Sequence, residues 1–477
     1  MKEKSVYLMG ICGTAMASLA GMLQERGYKV RGSDAAAYPP MSDYLASLGV
    51  QVHQPFSEKN LDPQPDLIVV GNAISRGNVE LEYVLDRHLP FTSMAALVHE
   101  EFIRGHRSLV VAGTHGKTTT TSMLAWIYTV ARRDPSFLIG GIAENFGASF
   151  SVAQGDDFII EGDEYDTAFF DKGPKLWHYF PDGLILTAVE FDHADIYRDL
   201  EAVKFAFRRA VNLVPRSGRI VAWESENVRQ CTAGAFCPVE HYGFGKECFW
   251  RISEVNYRST ETHWKVMRDG KPWGEFVFPL AGEYNVLNAT AAAALAFDYG
   301  IPVETIAEAL RSFRSVKRRL EVKAEINGIT IIDDFAHHPT AIRSTLHALR
   351  TRYLGRRLWA VLEPRSNTLR RNIFQHELAE SLAEADQIVI ASVFFKATDT
   401  LRPEQRLDVD ALVEELREQG RQARNCDDAS QIVANIAPEL RPGDVVAILS
   451  NGGFGGIYEK LPRRLEELTG YEPAPED

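Results

Sequence analysis

The sequence predicts an α/β protein of three domains, each built on an open sheet. Three observations support this. Short apolar runs alternate with helical stretches along the chain, as in strands joined by crossover helices. Turns bearing Gly, Asn, Asp or Ser follow several of those runs, where open sheets of this class place their ligands. The 477 residues hold about three domains at a prior of ~150 residues each.

Residues 1–106 open with the strand Val6-Tyr7-Leu8-Met9 and the turn Gly10-Ile11-Cys12-Gly13. Thr14 to Gln24 is apolar at helical spacing. Tyr28-Lys29-Val30-Arg31 is a second strand, ending at Gly32-Ser33-Asp34, and Leu67-Ile68-Val69-Val70 a later one, followed by Gly71-Asn72. This pattern is a Rossmann-like open sheet. Gly10 and Gly13 suit the approach of a phosphate, and Asp34 stands where a ribose-reading acid would. Cys12 and Ala15 occupy two of the three glycine positions of the dinucleotide fingerprint. That argues against a nicotinamide or flavin dehydrogenase. A sugar-nucleotide or mononucleotide site fits better, as does a site that has lost its ligand.

Glu101 to Arg107 reads as a boundary, and residues 107–314 as a central domain. Leu109-Val110-Val111-Ala112 is a buried strand, Gly113-Thr114-His115-Gly116-Lys117-Thr118-Thr119 a loop, and Thr118 to about Ala131 a helix. Strand, Gly-rich turn, Lys-Thr and helix make the layout of a phosphate-binding loop, hence a P-loop ATPase-type domain. The glycines let backbone N–H groups reach an anion, and the helix start adds about half a positive charge. Lys117 would reach the β/γ-phosphates, and Thr118 would place its hydroxyl on Mg2+. The usual spacing puts glycine where this chain has Val111, which leaves a plain tight turn as the other reading.

The strand Phe158-Ile159-Ile160 runs into Glu161, Asp163, Glu164 and Asp166, acids that repel one another unless a cation or basic group sits among them. A solvated turn is one reading, a Mg2+ ligand at Glu161 the other. The strand Leu184 to Val189 ends in Glu190-Phe191-Asp192-His193-Ala194-Asp195, either a surface Asp-His hydrogen bond or a second Mg2+ site at His193. A β-rich piece spans Arg219 to Phe278. Asn285 and Asn288 precede an Ala-rich helix, Asn288 to Phe297, either as helix caps or as readers of a purine edge. A further helix lies around Thr305 to Leu310.

Residues 315–477 form the third domain, again a Rossmann-like open sheet. Its strands are Ile329–Ile332, Leu358–Leu362, Gln387–Ala391 and Val445–Leu449, with helical stretches between them. The basic triplet Lys317-Arg318-Arg319 is either a solvated linker or a phosphate clamp at a hinge. Asp333-Asp334-Phe335-Ala336-His337-His338-Pro339 follows a strand and would bind a cation or orient an amine. The tail Pro473 to Asp477 is expected to fray.

Composition narrows the function. A net charge of −13 argues against nucleic acid, whose phosphates need a basic face. Local basic pockets for anionic metabolites remain open. No apolar run approaches the ~18 residues of a membrane span, and no secretory h-region follows Met1. The five cysteines lack metal-ligand spacing and fit free thiols in a reducing cytoplasm. A P-loop kinase would make a stable phosphoryl product. A nucleotide-regulated binding protein would hold ATP with negligible turnover.

Taken in order, Gly113–Thr119, Glu161-Gly162-Asp163-Glu164, Asp192-His193-Ala194-Asp195, Asn285 to Asn288, Arg319 and Asp333 to His337 resemble the Mur ligase family over nearly the whole chain. The resemblance implies an ATP-dependent amide ligase acting through an acyl phosphate. It assigns UDP-sugar binding to the first domain, ATP to the second, and the peptide and closure over ATP to the third. It implies ATP contacts at Gly113, Thr114, His115, Gly116, Lys117, Thr118, Thr119, Asn285, Asn288, Arg319 and Asp333, and Mg2+ ligands at Thr118, Glu161 and His193. Lys117, His193, Arg319 and His337 carry the catalytic roles on that reading. Gly10, Gly13, Asp34 and Asn72 would lie near the UDP-sugar, and Arg365, Asn367 and Asn451 near the peptide carboxylates.

Within the family, Glu161 to Lys172, Glu190 to Asp195, Glu363 to Thr368 and Ser450 to Gly456 are similar to members of one branch. That branch joins UDP-N-acetylmuramate to the tripeptide L-alanyl-γ-D-glutamyl-meso-diaminopimelate in peptidoglycan recycling. The alternative branch adds L-alanine in biosynthesis, and usually carries proline where this chain has Phe191. Many relatives have His where Tyr284 stands, which weakens one purine contact. Lys204 sits about two or three residues early for the carbamylated lysine of several relatives and is not given that role. The expected setting is cytoplasmic, as a monomer or homodimer, with small-molecule substrates.

Overall fold

The computed structural model describes residues 4–37, 41–258, 260–394 and 401–470. The first sheet has five parallel strands, Ser5–Met9, Lys29–Ser33, Gln51–His53, Leu67–Val70 and Phe91–Ser93. They stand in the order third, second, first, fourth, fifth. The order reverses between the first and fourth strands, so a ligand crevice opens at their carboxyl ends. Gly10 follows one of these strands and Gly71-Asn72 the other. Val6 and Leu8 are buried in one apolar cluster, Tyr7 and Met9 in another, as a strand covered on both faces requires. Gln51–His53 and Phe91–Ser93 are too short and polar to show as apolar runs.

The central sheet has ten strands. Arg107–Ala112 lies between Asp157–Gly162 and Gly183–Leu186 and runs parallel to both. Ala112 is level with Gly162 and with Leu186. Three strands therefore release their following loops at one edge. The strand expected to reach Val189 ends at Leu186, which frees Thr187 to His193 to cross that edge. The piece Arg219 to Phe278 continues this same sheet. Arg219–Trp223 and Val239–Gly243 are parallel, and Trp250–Tyr257, Thr262–Arg268 and Lys271–Phe278 form an antiparallel flank.

The helix after the loop spans Lys117–Val130, starting one residue before the position expected. It packs on the Ala-rich helix Glu283–Asp298. Ala291 to Ala294 are fully buried there, and side chains this small let helix, helix and sheet approach closely. The Ala-rich helix also starts earlier than expected. Asn285 and Asn288 sit inside its first turns, and Gly282 takes the cap position, so the capping reading of the two asparagines fails.

The third sheet has six strands in the order first, second, sixth, third, fourth, fifth. The edge strand Glu321–Ile326 is antiparallel to Ile329–Asp334, and the remaining pairs are parallel. Asp333 and Asp334 end a strand instead of following it, and both are buried. Gln422–Cys426 is a further strand whose polar residues masked it in the sequence. The tail from Pro473 lies outside the described residues.

Candidate active site

Gly116 has φ 82°, a left-handed conformation that favours glycine, and a Cβ there would lie 2.6 Å from Asn288 Oδ1. The turn aims Lys117 back across the loop. Its Nζ donates to the Gly113 carbonyl at 2.7 Å and pairs with Glu164 Oε2 at 2.7 Å. Thr118 Oγ1 donates to Glu161 Oε1 at 3.0 Å, and the Gly140 N–H donates to Glu161 Oε2 at 2.8 Å.

The acids after Asp157–Gly162 do not form a solvated turn. Glu164 is buried and answered by Lys117, Asp163 by Lys175 at 2.5 Å, and Asp166 by Lys172 at 2.6 Å. Burial opposes the Lys117 charge, yet Glu164, Asp163 and Glu161 outweigh it and hold the ammonium above its usual pKa. Burial pushes the Asp163 carboxyl up, but Lys175 and Lys117 bring it down to about 2. Glu161 is the exception. Burial holds it above the usual carboxylate range despite Lys117. A half-buried carboxylate in that condition favours a cation beside it.

Asp192 and His193 are likewise no surface pair. Asp192 is buried, and its Oδ1 accepts the His193 N–H at 2.7 Å and the Thr368 hydroxyl at 2.6 Å. His193 Nε2 lies 2.9 Å from Glu164 Oε1. Burial lowers the His193 pKa, but Glu164 and Asp192 together raise it above the ordinary value.

Across from the loop stand residues of the third sheet. Arg318 is no solvated linker residue. It pairs with Asp333 at 3.1 Å and donates to the carbonyls of Ser450 at 2.7 Å and Gly452 at 2.9 Å and to the Tyr458 hydroxyl at 3.0 Å. Arg319 stacks on Phe335 at 5.1 Å. His337 Nδ1 lies 2.8 Å from the Phe335 carbonyl and so donates to it, and burial lowers its pKa. Asn451 Oδ1 is buried with no hydrogen-bond partner among the described residues.

These groups share one cavity of about 1350 Å³. Thr114, His115, Gly116, Lys117, Thr118 and Thr119 line it from the loop, and Glu161, His193, Asn285 and Asn288 from the rest of the central domain. Arg319, Asp333, His337 and Asn451 line it from the third. Tyr284 also lines it, and packs against the third-domain core. Thr14 and Met41 of the first domain also line it.

Other expected site residues stand apart. Gly10, Gly13, Asp34 and Asn72 gather at the carboxyl edge of the first sheet, where Asp34 Oδ2 accepts the Cys12 N–H at 2.9 Å. Arg365 stacks on Phe394 at 4.0 Å and lies 3.3 Å from Glu363. Asn367 Nδ2 reaches Asp195 at 2.7 Å and the Tyr165 hydroxyl at 3.2 Å. It therefore joins two domains in addition to any ligand role. Sequence reasoning gave Arg318 only as part of the basic triplet and Thr368 only as the end of a branch motif, without their partners, and it missed Tyr458.

A phosphate-type loop, a buried carboxylate behind it and a third sheet facing both across one cleft define a nucleotide-dependent enzyme. The sequence profile of the Mur ligase family, catalytic domain, matches residues 5–105. Those of the Mur ligase middle domain and the Mur ligase, glutamate ligase domain, match 111–296 and 318–452. The chain belongs to the Mur ligase family. It is 42% identical over 459 residues to UDP-N-acetylmuramate–L-alanyl-γ-D-glutamyl-meso-2,6-diaminoheptandioate ligase of Escherichia coli (strain K12), spanning 96% of this chain and 97% of that one. The protein of the same name in Haemophilus influenzae is 39% identical over 465 residues, spanning 97% and 99%. A murein peptide ligase structure from Psychrobacter arcticus aligns with TM-score 0.73 and 34% identity over 97% of this chain and 98% of that one. A UDP-N-acetylmuramate-alanine ligase structure from Thermotoga maritima aligns with TM-score 0.80 over 97% and 99%. At 22% identity it bears on the fold alone.

Proposed function

We propose that this chain is an ATP-dependent ligase joining UDP-N-acetylmuramate to L-alanyl-γ-D-glutamyl-meso-diaminopimelate in peptidoglycan recycling. The observation that carries the reading is the near full-length identity, 42%, to a ligase so named. The cleft between phosphate loop and third sheet supplies the geometry such a reaction needs.

The sugar carboxylate attacks the γ-phosphate of ATP, giving an acyl phosphate and ADP. The tripeptide amine then attacks the acyl carbon, and phosphate leaves. Catalysis rests on positioning and charge neutralisation. On this reading Lys117 and the loop N–H groups hold the phosphates, and Asn285 and Asn288 sit at the base. Arg319 and Asp333 meet ATP from the third domain, Asp333 with its charge shared by Arg318. His337 presents Nε2, the nitrogen left unprotonated by the Nδ1 hydrogen bond, to the incoming amine.

The oxygen donors Thr118 and Glu161, 3.0 Å apart, fit a hard cation. They would hold Mg2+, with His193 serving a second ion once its Nε2 exchanges Glu164. Bound there, Mg2+ supplies positive charge to the phosphate oxygens. Gly10, Gly13, Asp34 and Asn72 take the UDP-sugar, and Arg365, Asn367 and Asn451 the peptide carboxylates.

No helix among the described residues is long and apolar enough to cross a membrane. We read the enzyme as cytoplasmic, monomeric or homodimeric.

Phosphate release from ATP is measured with UDP-N-acetylmuramate and either the tripeptide or L-alanine, with the product mass determined. Turnover with the tripeptide alone is expected. Turnover with alanine alone would transfer the chain to the biosynthetic reaction.

A further inference from the structure

Three donors from separate segments converge at the domain boundary. His115 belongs to the phosphate loop, and Glu190 to the segment after Gly183–Leu186. His338 caps the third-domain helix Pro339–Arg352. Their ligand atoms all lie within 4.8 Å of one another. His115 Nε2 is 3.2 Å from Glu190 Oε2, and His338 Nδ1 is 3.6 Å from the same oxygen. A tetrahedral ion with bonds near ~2.0–2.1 Å separates its donors by roughly 3.3 Å, so the two spacings bracket that value.

Proton placement at His338 strengthens the case. Its Nε2 lies 3.1 Å from the Phe191 carbonyl, which can only accept, so Nε2 carries the hydrogen. Nδ1 accepts a long 3.3 Å hydrogen bond from the Thr340 N–H and lies 3.6 Å from Glu190 Oε2, so its lone pair is held by one weak bond. Glu190 Oε2 also meets His115 Nε2 at 3.2 Å and the Thr340 hydroxyl at 2.7 Å. A cation placed among these donors would take the Nδ1 lone pair in exchange for the weak Thr340 bond. The Phe191 carbonyl also serves as the outer partner that orients a metal-ligating imidazole.

We propose that His115, Glu190 and His338 form a site for a divalent transition-metal ion of the Zn2+ type, pinning the third domain onto the phosphate loop. Two imidazoles and one carboxylate suit Zn2+, Co2+ or Ni2+ and discriminate against Mg2+, which prefers oxygen. The site is distinct from the Thr118–Glu161 oxygen pair. All three residues line the central cavity, so the fourth coordination position opens onto it.

The test uses the full chain, stripped of metal with a chelator and free of nucleotide, titrated with Co2+ alone. One equivalent with the visible absorption of a tetrahedral Co2+ centre is expected, displaced by Zn2+. Zn2+ should also raise the Tm. His338→Gln and Glu190→Gln should each weaken Co2+ binding at least tenfold and abolish the Zn2+-dependent shift, while His193→Gln keeps both. Melts without metal establish that the variants fold. Should one of them not fold, His115→Gln carries the same expectation. Absence of the bands in the unaltered protein, or their persistence in the folded variants, overturns the site. No nucleotide or peptide is present, so either result leaves the ligase reading untouched.

Discussion

Thr368 donates its hydroxyl to Asp192 Oδ1 at 2.6 Å, tying the third domain to the residue that precedes His193. Thr368 Oγ1 also accepts the Ala194 N–H at 3.2 Å, so one hydroxyl bridges both sides of His193. Burial pushes the Asp192 carboxyl up, but the His193 imidazolium, helped by the Thr368 hydroxyl, holds it below the usual carboxylate range. Thr368→Val keeps the shape and removes the hydroxyl. It should cost about 1–3 kcal/mol, lowering the Tm by roughly 2–4 °C per kcal/mol, with reduced turnover as the His193 segment loosens. Calorimetry alongside steady-state kinetics measures both, and an unchanged melt would remove the bridge from the account.

Lys117→Ala should lower kcat by at least about 100-fold, the scale of losing one charged stabilising group at a reacting centre. It also strands Glu164, a buried carboxylate left with His193 as its partner. The single variant should therefore melt early. Adding Glu164→Gln should restore the Tm without restoring turnover, and parallel melts and phosphate-release assays separate the two effects.

Gly116→Ala forces a side chain into φ 82° and against Asn288. Strain at such a position exceeds about 1 kcal/mol, and the loop must shift to relieve it. ATP affinity should fall at least tenfold. Adding Asn288→Ala relieves the contact but not the backbone strain, so it should recover only part of the loss in a nucleotide titration.

Asp298 lies beside Glu240, with Arg219 and Arg268 as the nearby cations, and its Oδ2 is buried without a hydrogen-bond partner among the described residues. Burial, then Glu240, push its carboxyl from 3.8 up to about 7. The folded protein keeps this proton between those values while the unfolded chain releases it, so stability falls as pH rises through that window. Asp298→Asn should raise stability on the order of 1–2 kcal/mol above pH ~7 and add nothing near pH ~4. Denaturation at the two pH values tests the sign.

The architecture was readable where a run of apolar residues met a turn residue. Leu109 to Ala112 with Gly113 and Gly116, and Val6 to Met9 with Gly10, announced their strands and loops. Gln51–His53 and Gln422–Cys426 were not readable, because short strands at the sides of a sheet need no continuous apolar run. At the cleft, the loop and Glu161 stood in the sequence as a pattern. The partners of the acids did not: Lys175 on Asp163 and Arg318 on Asp333 are set by tertiary packing. For Asn285 and Asn288 the sequence left capping open beside a purine contact, and only the structure removes capping, because Gly282 starts the helix earlier than the Ala-rich run suggests.

Glu164 holding Lys117 has one more consequence. A nucleotide entering this loop competes with an internal anion for the same ammonium. On the proposed function, a polyphosphate chain would bring several charges into the space where a monoanion brings one. Charge density would then weigh in the choice of ligand alongside contacts to the base.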